Sequence, residues 1–328
     1  MTQKDDQKPI DSNALIKHTN NDLLATKDRR SKISLTSDIL RSAVAARTSS
    51  KDLIDEDWVQ KIWEWADECE IDDESIPRNR LALLELNGII VTGDKIKSLP
   101  ESIGNLSNFH YFDVNNSNLD SLPESIGNLS KLNYLDVSGN NLKSLPESIG
   151  NLIKLEYIVN VSDNDLKLLP ESMKNLDQLQ DLNVSNNNLE SLPKEIGSLR
   201  KLQNFIASDN NLKSLPESIG GLRNLKYLDV SNNNLKSLPE SIGYLKNLKY
   251  LNVSNNNLKY LPESIVNLKS LERIYVEGND FDSLPENIMD MLTEIKKIEE
   301  IERQERLEYS ERLARLDSYS NLFSNLFD

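Results

Sequence analysis

The chain has little of what chemistry is usually built from. One cysteine, Cys69, and two histidines, His18 and His110, stand among 328 residues. A lone cysteine cannot close an intrachain disulfide, so nothing points to an oxidising compartment, and a cysteine-built structural zinc site is excluded. Neither histidine belongs to an H-E-x-x-H pattern, and neither a G-x-S-x-G nor a glycine-rich phosphate loop occurs. Long apolar runs are missing as well: none approaches the ~18 residues of a membrane span, and the polar start, Met1 to Asp11, lacks the apolar core of a secretory signal. Cations are outnumbered, with 38 Lys and Arg against 53 Asp and Glu, for a formal charge of −15. So negative a surface disfavours nucleic acid and anionic membrane and fits a neutral or basic protein partner better. The expectation is a cytosolic chain without catalytic residues, metal or cofactor.

What the sequence does have is repetition. A Leu-Pro pair recurs at Pro100, Pro123, Pro146, Pro170, Pro193, Pro216, Pro239, Pro262 and Pro285, at intervals of 23 residues apart from one of 24. A fixed period of this length means a solenoid, which grows by stacking instead of enlarging one core. The whole unit is clearest in Leu132-x-x-Leu135-x-Val137-x-x-Asn140-x-Leu142-x-x-Leu145-Pro146, followed by Glu147-Ser148-Ile149-Gly150-Asn151-Leu152. In each copy the positions of Leu132, Leu135, Val137, Leu142, Leu145, Ile149 and Leu152 should point inward. The Leu-x-Val segment should be a strand of one parallel sheet. Proline blocks a regular α-helix in the Leu-Pro segment, so extended and 3₁₀-like turns are expected on the opposite side. An inward asparagine column, Asn140, Asn164, Asn187, Asn210, Asn233, Asn256 and Asn279, can satisfy buried backbone groups of adjacent turns. Asp94 and Ser117 replace it in the first two copies.

This pattern resembles the leucine-rich repeat family, over roughly Leu86 to Ile288. The resemblance implies an α/β solenoid, a horseshoe with a parallel concave β-sheet, an N-terminal helical cap and a C-terminal helix. The 23-residue Leu-Pro-x-x-Ile-Gly form is similar to that of bacterial members and of the Ras-group intracellular members, and by analogy with the latter a small GTPase partner is implied. Trp63-Glu64-Trp65-Ala66 followed by Ile76-Pro77-Arg78 resembles the leading cap of the bacterial members.

Four segments are expected. Residues 1–30 read as a disordered polar leader, with too few apolar side chains to offset the entropy of ordering. Residues 31–85 read as a helical region and cap, with a short helix capped by Ser37. An amphipathic helix should follow over Asp52 to Ile71, with Ile54, Trp58, Ile62, Trp65 or Ala66, and Cys69 on one face. Its tryptophans are read as covering the bare apolar end of the first repeat and not as a binding site. Residues 86–285 hold nine repeats. Residues 286–328 read as a capping helix from Asn287 to about Ser318, supported by Glu-to-Arg pairs from Glu299 onward, and an apolar tail. That tail either folds back on its own helix or mediates self-association or partner binding.

Function is expected on the concave face, as protein or peptide binding. The residue before the second strand leucine points out, giving Tyr111, Tyr134, Tyr157, Asp181, Asn204, Tyr227, Tyr250 and Arg273. The next outward column includes Asp113, Asp136, Asp229 and Tyr275. Tyrosine offers rigid contact area at small entropic cost beside hydrogen-bonding groups. The 24-residue interval falls within Leu155 to Val161 and reads as a bulge in the fourth strand, either re-aiming side chains for a ligand or simply tolerated. Lys143, Lys167, Lys213, Lys236 and Lys259 run near Glu147, Glu171, Glu217, Glu240 and Glu263 and read as a solvated face. A rival reading is a bacterial effector carried into a host cell without a classical signal peptide, with the leader or the tail as its address.

Overall fold

The computed structural model describes residues 57–297 and 304. The chain divides into two units, Met1–Gln60 and Lys61–Asp328, and the described residues belong to the second apart from Asp57–Gln60, which open the first helix. The leader, the Ser37-capped helix, the Glu–Arg pairs from Glu299 and the apolar tail lie outside the described residues.

Helix α1 (Asp57–Glu68) precedes a short α2 (Arg80–Glu85). Nine strands follow: β1 (Gly88–Ile90), β2 (Tyr111–Asp113), β3 (Tyr134–Asp136), β4 (Ile158–Asn160), β5 (Asp181–Asn183), β6 (Asn204–Ile206), β7 (Tyr227–Asp229), β8 (Tyr250–Asn252) and β9 (Arg273–Tyr275). They form one parallel sheet in sequence order. Residues 286–297 are helical and close the series. No helix among the described residues is long and apolar enough to cross a membrane.

The repeat explains each part of the turn. Leu132, Leu135, Val137, Leu142, Ile149 and Leu152 are all at 0% exposure, and the same positions are buried in the neighbouring copies. Each buried leucine contributes about 1.5–3 kcal/mol relative to exposure, which is where the stack draws its cohesion. Pro146 holds φ −68° and ψ 150°, and the chain then enters a 3₁₀ turn at Glu147–Asn151. The other convex turns repeat this from Glu101–Asn105 to Glu263–Asn267. These turns pack too closely for a side chain at the glycine: a Cβ on Gly150 would sit 2.4 Å from the Ser172 carbonyl oxygen.

The convex glutamates Glu147, Glu171, Glu217, Glu240 and Glu263 are exposed, as a solvated face requires, and some glutamates of this column also serve the backbone. Glu101, Glu124, Glu147 and Glu240 accept from the backbone N–H of the serine one repeat on, at 3.2–3.3 Å. Lys213 pairs with Glu190 at 2.8 Å, not with Glu217. Backbone N–H groups at a turn need acceptors more than exposed lysines need partners.

Asparagine fills the role expected of it. Asn187 donates from Nδ2 to the carbonyls of Val161 (3.0 Å), Val184 (3.2 Å) and Ser185 (3.0 Å), and its Oδ1 accepts from Leu166 N–H (2.9 Å). The Val161 carbonyl also accepts from Asn164, and that of Val184 from Asn210, so successive asparagines share acceptors. In the second copy the Ser117 hydroxyl instead accepts from Gly93 N–H at 3.2 Å.

Both ends of the second unit carry apolar helix faces. Ile62 and Ala66 are fully buried, and the Trp65 indole N–H donates to the Ser98 carbonyl in the first repeat at 2.8 Å. Trp63 donates to the Pro77 carbonyl at 2.9 Å. These indoles are thus engaged in the cap. Beyond Pro285, Ile288 and Ile295 are buried on the closing helix.

Candidate functional site: the outward columns of the sheet

A three-residue strand with one inward leucine has two outward positions. The first column, in register from β1 to β9, is Gly88, Tyr111, Tyr134, Ile158, Asp181, Asn204, Tyr227, Tyr250 and Arg273. The second is Ile90, Asp113, Asp136, Asn160, Asn183, Ile206, Asp229, Asn252 and Tyr275. Eleven of the twelve residues expected on this face occupy it; Tyr157 does not. The extra residue is absorbed ahead of β4: elsewhere one carbonyl takes two N–H groups at this point, as that of Gln203 does from Lys226 (2.8 Å) and Tyr227 (3.0 Å), but here the pair is split, with Gln180 N–H donating to the Glu156 carbonyl (2.8 Å) and Asp181 N–H to that of Tyr157 (3.1 Å). Strand β4 therefore keeps register with β3 and β5, Ile158 takes the tyrosine position, and Tyr157 is pushed out to 50% exposure. The bulge lies at the entrance to the strand, not within it, because shifting the strand itself would turn Val159 away from the core.

Outward does not mean exposed. Tyr134 and Asp136 are each 4% exposed, and Tyr227 and Asp229 each 8%, since side chains in adjacent columns pack on one another across ~4.8 Å strand spacings. Two clusters result. In the first, Asp136 Oδ1 accepts from Ser138 N–H (2.9 Å) and Oγ (2.6 Å), and its Oδ2 accepts from Asn160 Nδ2 (3.0 Å) and the Tyr134 hydroxyl (3.4 Å). Tyr111 lies over Gly88, where a Cβ would come within 2.6 Å of its ring carbons. In the second, Asp229 accepts from Ser231 N–H (3.0 Å) and Oγ (2.6 Å) and from Asn252 Nδ2 (3.2 Å). The Tyr227 and Tyr250 rings stack at 4.2 Å and 8°, and Tyr250 meets Tyr275 at 5.3 Å and 44°.

Between the clusters run Asp181, Asn204 and Ile206, with the Asn204 amide donating to Asp181. Burial leaves several carboxyls short of solvation. Asp113 is pushed up to about 7, first by burial and then by the negative charge of Asp136, against donation from Asn115. Burial also raises Asp181 and Asp229, opposed by hydrogen bonds from Asn204 and from Ser231 and Asn252 respectively. Tyr250 is pushed up to about 12, chiefly by burial. Tyr134 and Tyr227 are raised by burial and then by the adjacent Asp136 and Asp229.

Such a face offers rings, amides and solvent-starved carboxyls. His110 is exposed before β2, and no cluster of three or more His, Cys, Asp or Glu suited to a metal occurs among the described residues. One residue of the face, Ile158, is not placed there by the sequence reading. Counting back from Val161, and not forward from Leu155, would have placed Ile158.

The sequence matches the family described as leucine-rich repeat region over residues 79–186 and 217–326, and the single leucine-rich repeat profile over residues 178–199. Among solved structures, it is similar to a leucine-rich repeat protein of Leptospira interrogans, at 31% identity and TM-score 0.60 over 65% of this chain. The chain spans about half of that protein, 53%. It is similar also to the plant peptide hormone receptor RGFR1 in complex with RGF2, at 30% identity and TM-score 0.55 over 62% of this chain and 33% of the receptor. A TDR receptor matches at 32% identity and TM-score 0.53 over 61% and 34%. No curated protein matches.

Proposed function

The chain belongs to the leucine-rich repeat family, and from that premise we propose that it is a non-enzymatic binding module that takes an extended protein or peptide segment along its concave sheet. The observation that carries this reading is the Tyr227, Tyr250 and Tyr275 ring series, spaced at 4.2 and 5.3 Å beside Asp229. Rings already fixed by one another lose little entropy when a partner lands on them. Carboxyls short of solvation at Asp113, Asp181 and Asp229 favour a partner that brings lysine or arginine, whose charge would stabilise the ionised form. The receptor RGFR1 was solved with RGF2, and it supports the reading as a family precedent, not as a statement of this chain's ligand.

Peptides selected by display on the wild-type chain test it. Those peptides should carry Lys or Arg and lose about tenfold or more in affinity for a Tyr250→Ala, Tyr275→Ala double variant. Tyr260→Ala, at a residue 54% exposed outside the sheet, should leave affinity unchanged. Equal binding to the wild type and the double variant refutes the reading. A small GTPase, implied by the Ras-group resemblance, is the first whole protein to try in the same assay.

A further inference from the structure

Just ahead of each strand, three positions around one inward residue recur in every repeat. In the repeats that feed β2 to β5 they are Ser107, Asn108 and His110; Ser130, Lys131 and Asn133; Ile153, Lys154 and Glu156; then Asp177, Gln178 and Gln180. In the three repeats that feed β6, β7 and β8, the same positions hold Arg200, Lys201, Arg223, Lys226, Lys246 and Lys249, with no carboxylate among them. Six cations thus fall at these positions in a chain whose formal charge is −15, and Lys201, Lys226 and Lys249 among them line one groove. Copying of a repeat does not account for this, because the copies that feed β2 to β5 and β9 hold at most one cation each at these positions.

The same stretch is concave. Gln180, Lys201, Gln203, Asn224, Lys226, Asn247, Lys249 and Ser270 line an open groove of about 550 Å³. Its amides are held in order: Gln203 donates to Gln180 (2.9 Å), Lys226 to Gln203 (2.8 Å), and Asn224 and Asn247 to the carbonyls of Arg200 (2.8 Å) and Arg223 (2.7 Å). One carboxylate reaches the groove lysines from outside the three repeats, Glu272, at 2.6 Å from Lys249.

We infer that this groove binds an acidic, extended polypeptide segment. Three strand spacings of ~4.8 Å match about four residues of extended chain at ~3.3 Å each. Lysine and arginine supply the charge, and the glutamine and asparagine side chains supply the mixed donors and acceptors that a peptide backbone requires. A nucleic acid fits less well, since a long polyanion must lie beyond the groove against a strongly negative surface. The inference does not rest on the concave-face reading, because the two surfaces call for partners of opposite charge.

Fluorescence anisotropy with labelled hexaglutamate tests it on the full chain, with an oligothymidylate and phosphatidylserine vesicles as competing probes. Hexaglutamate should bind saturably at about 50 mM salt and weaken by about 300 mM. Lys226→Glu with Lys249→Glu should cost about tenfold or more, whereas Lys131→Glu with Lys154→Glu, at the recurring positions but outside the groove, should not. Tyr111→Ala should leave this binding intact, which separates it from the concave face. No saturable binding, an equal loss in both charge-reversed pairs, or tighter binding to the oligonucleotide or vesicles would overturn the assignment.

Discussion

Asn187→Ala is the sharpest probe of what holds successive turns together. The asparagine is 7% exposed and serves four backbone groups. Its loss is uneven among them. Val161 and Val184 keep the second asparagine that each carbonyl shares, but Leu166 N–H loses the 2.9 Å acceptor that Asn187 Oδ1 provides. A buried donor left unsatisfied costs about 1–3 kcal/mol, and the weakened carbonyls add about 0.5–1.5, so a loss of about 3 kcal/mol is expected. Asn187→Asp should be worse at neutral pH, because it keeps an acceptor for Leu166 but sets a carboxylate against three carbonyl oxygens at 3.0–3.2 Å. Buried in that company, the aspartate would have a raised folded-state pKa, so this variant's stability should recover as pH falls and the carboxyl takes up a proton. Urea denaturation followed by far-UV circular dichroism reads both effects, and hydrogen exchange should place the lost protection around residues 161–187. A loss under about 0.5 kcal/mol for Asn187→Ala, or an aspartate variant as stable as the alanine one at pH 7, would refute the reasoning.

Two further outcomes follow from the concave face. Between the ordinary carboxyl value of 3.8 and about 7, the folded chain holds a proton on Asp113 that the unfolded chain has released, so this residue's contribution to stability falls as pH rises through that window and then levels off. Asp113→Asn should therefore melt above the wild type at pH 8 and near it at pH 4, by differential scanning calorimetry; an unchanged pH profile would show that Asp113 is not the group responsible. For the register of the fourth repeat, Ile158→Ala should lower stability by about 2–4 kcal/mol, while Tyr157→Ala should change it by no more than about 0.5. The reverse order in denaturation midpoints would mean that the strand begins one residue earlier.

The sequence carried the frame almost completely, because the seven inward positions and the asparagine recur at a fixed interval and each has one physical task. It carried the site less well, for three separate reasons. At the 24-residue interval, Tyr157 and Ile158 were equally good neighbours of the leucine preceding them, and only pairing with Tyr134 and Asp181 on the adjacent strands decides between them. Orientation was legible but burial was not: Tyr134 and Asp136 do point outward, yet hydrogen bonds and packing from the next columns cover them. The basic groove was hidden by the whole-chain charge, since Lys226 and Lys249 become visible as a feature only when the columns of repeats six to eight are summed apart from the rest. The convex glutamates were legible as a solvated face, whereas the bond that some make to a serine N–H in the next turn leaves no trace in a charge pattern.

The carbonyls shared between successive asparagines also bear on how such a chain changes length. From Asn140 to Asn279 each seam joins the same donors to the same acceptors, so cutting at equivalent points in two of these copies and rejoining them restores the asparagine bonds across the splice. Repeats can therefore be gained or dropped as whole blocks without redesigning the frame, and the stretch that resists such editing is the one with 24 residues, where a misaligned exchange would swap Tyr157 for Ile158 and turn the strand inside out.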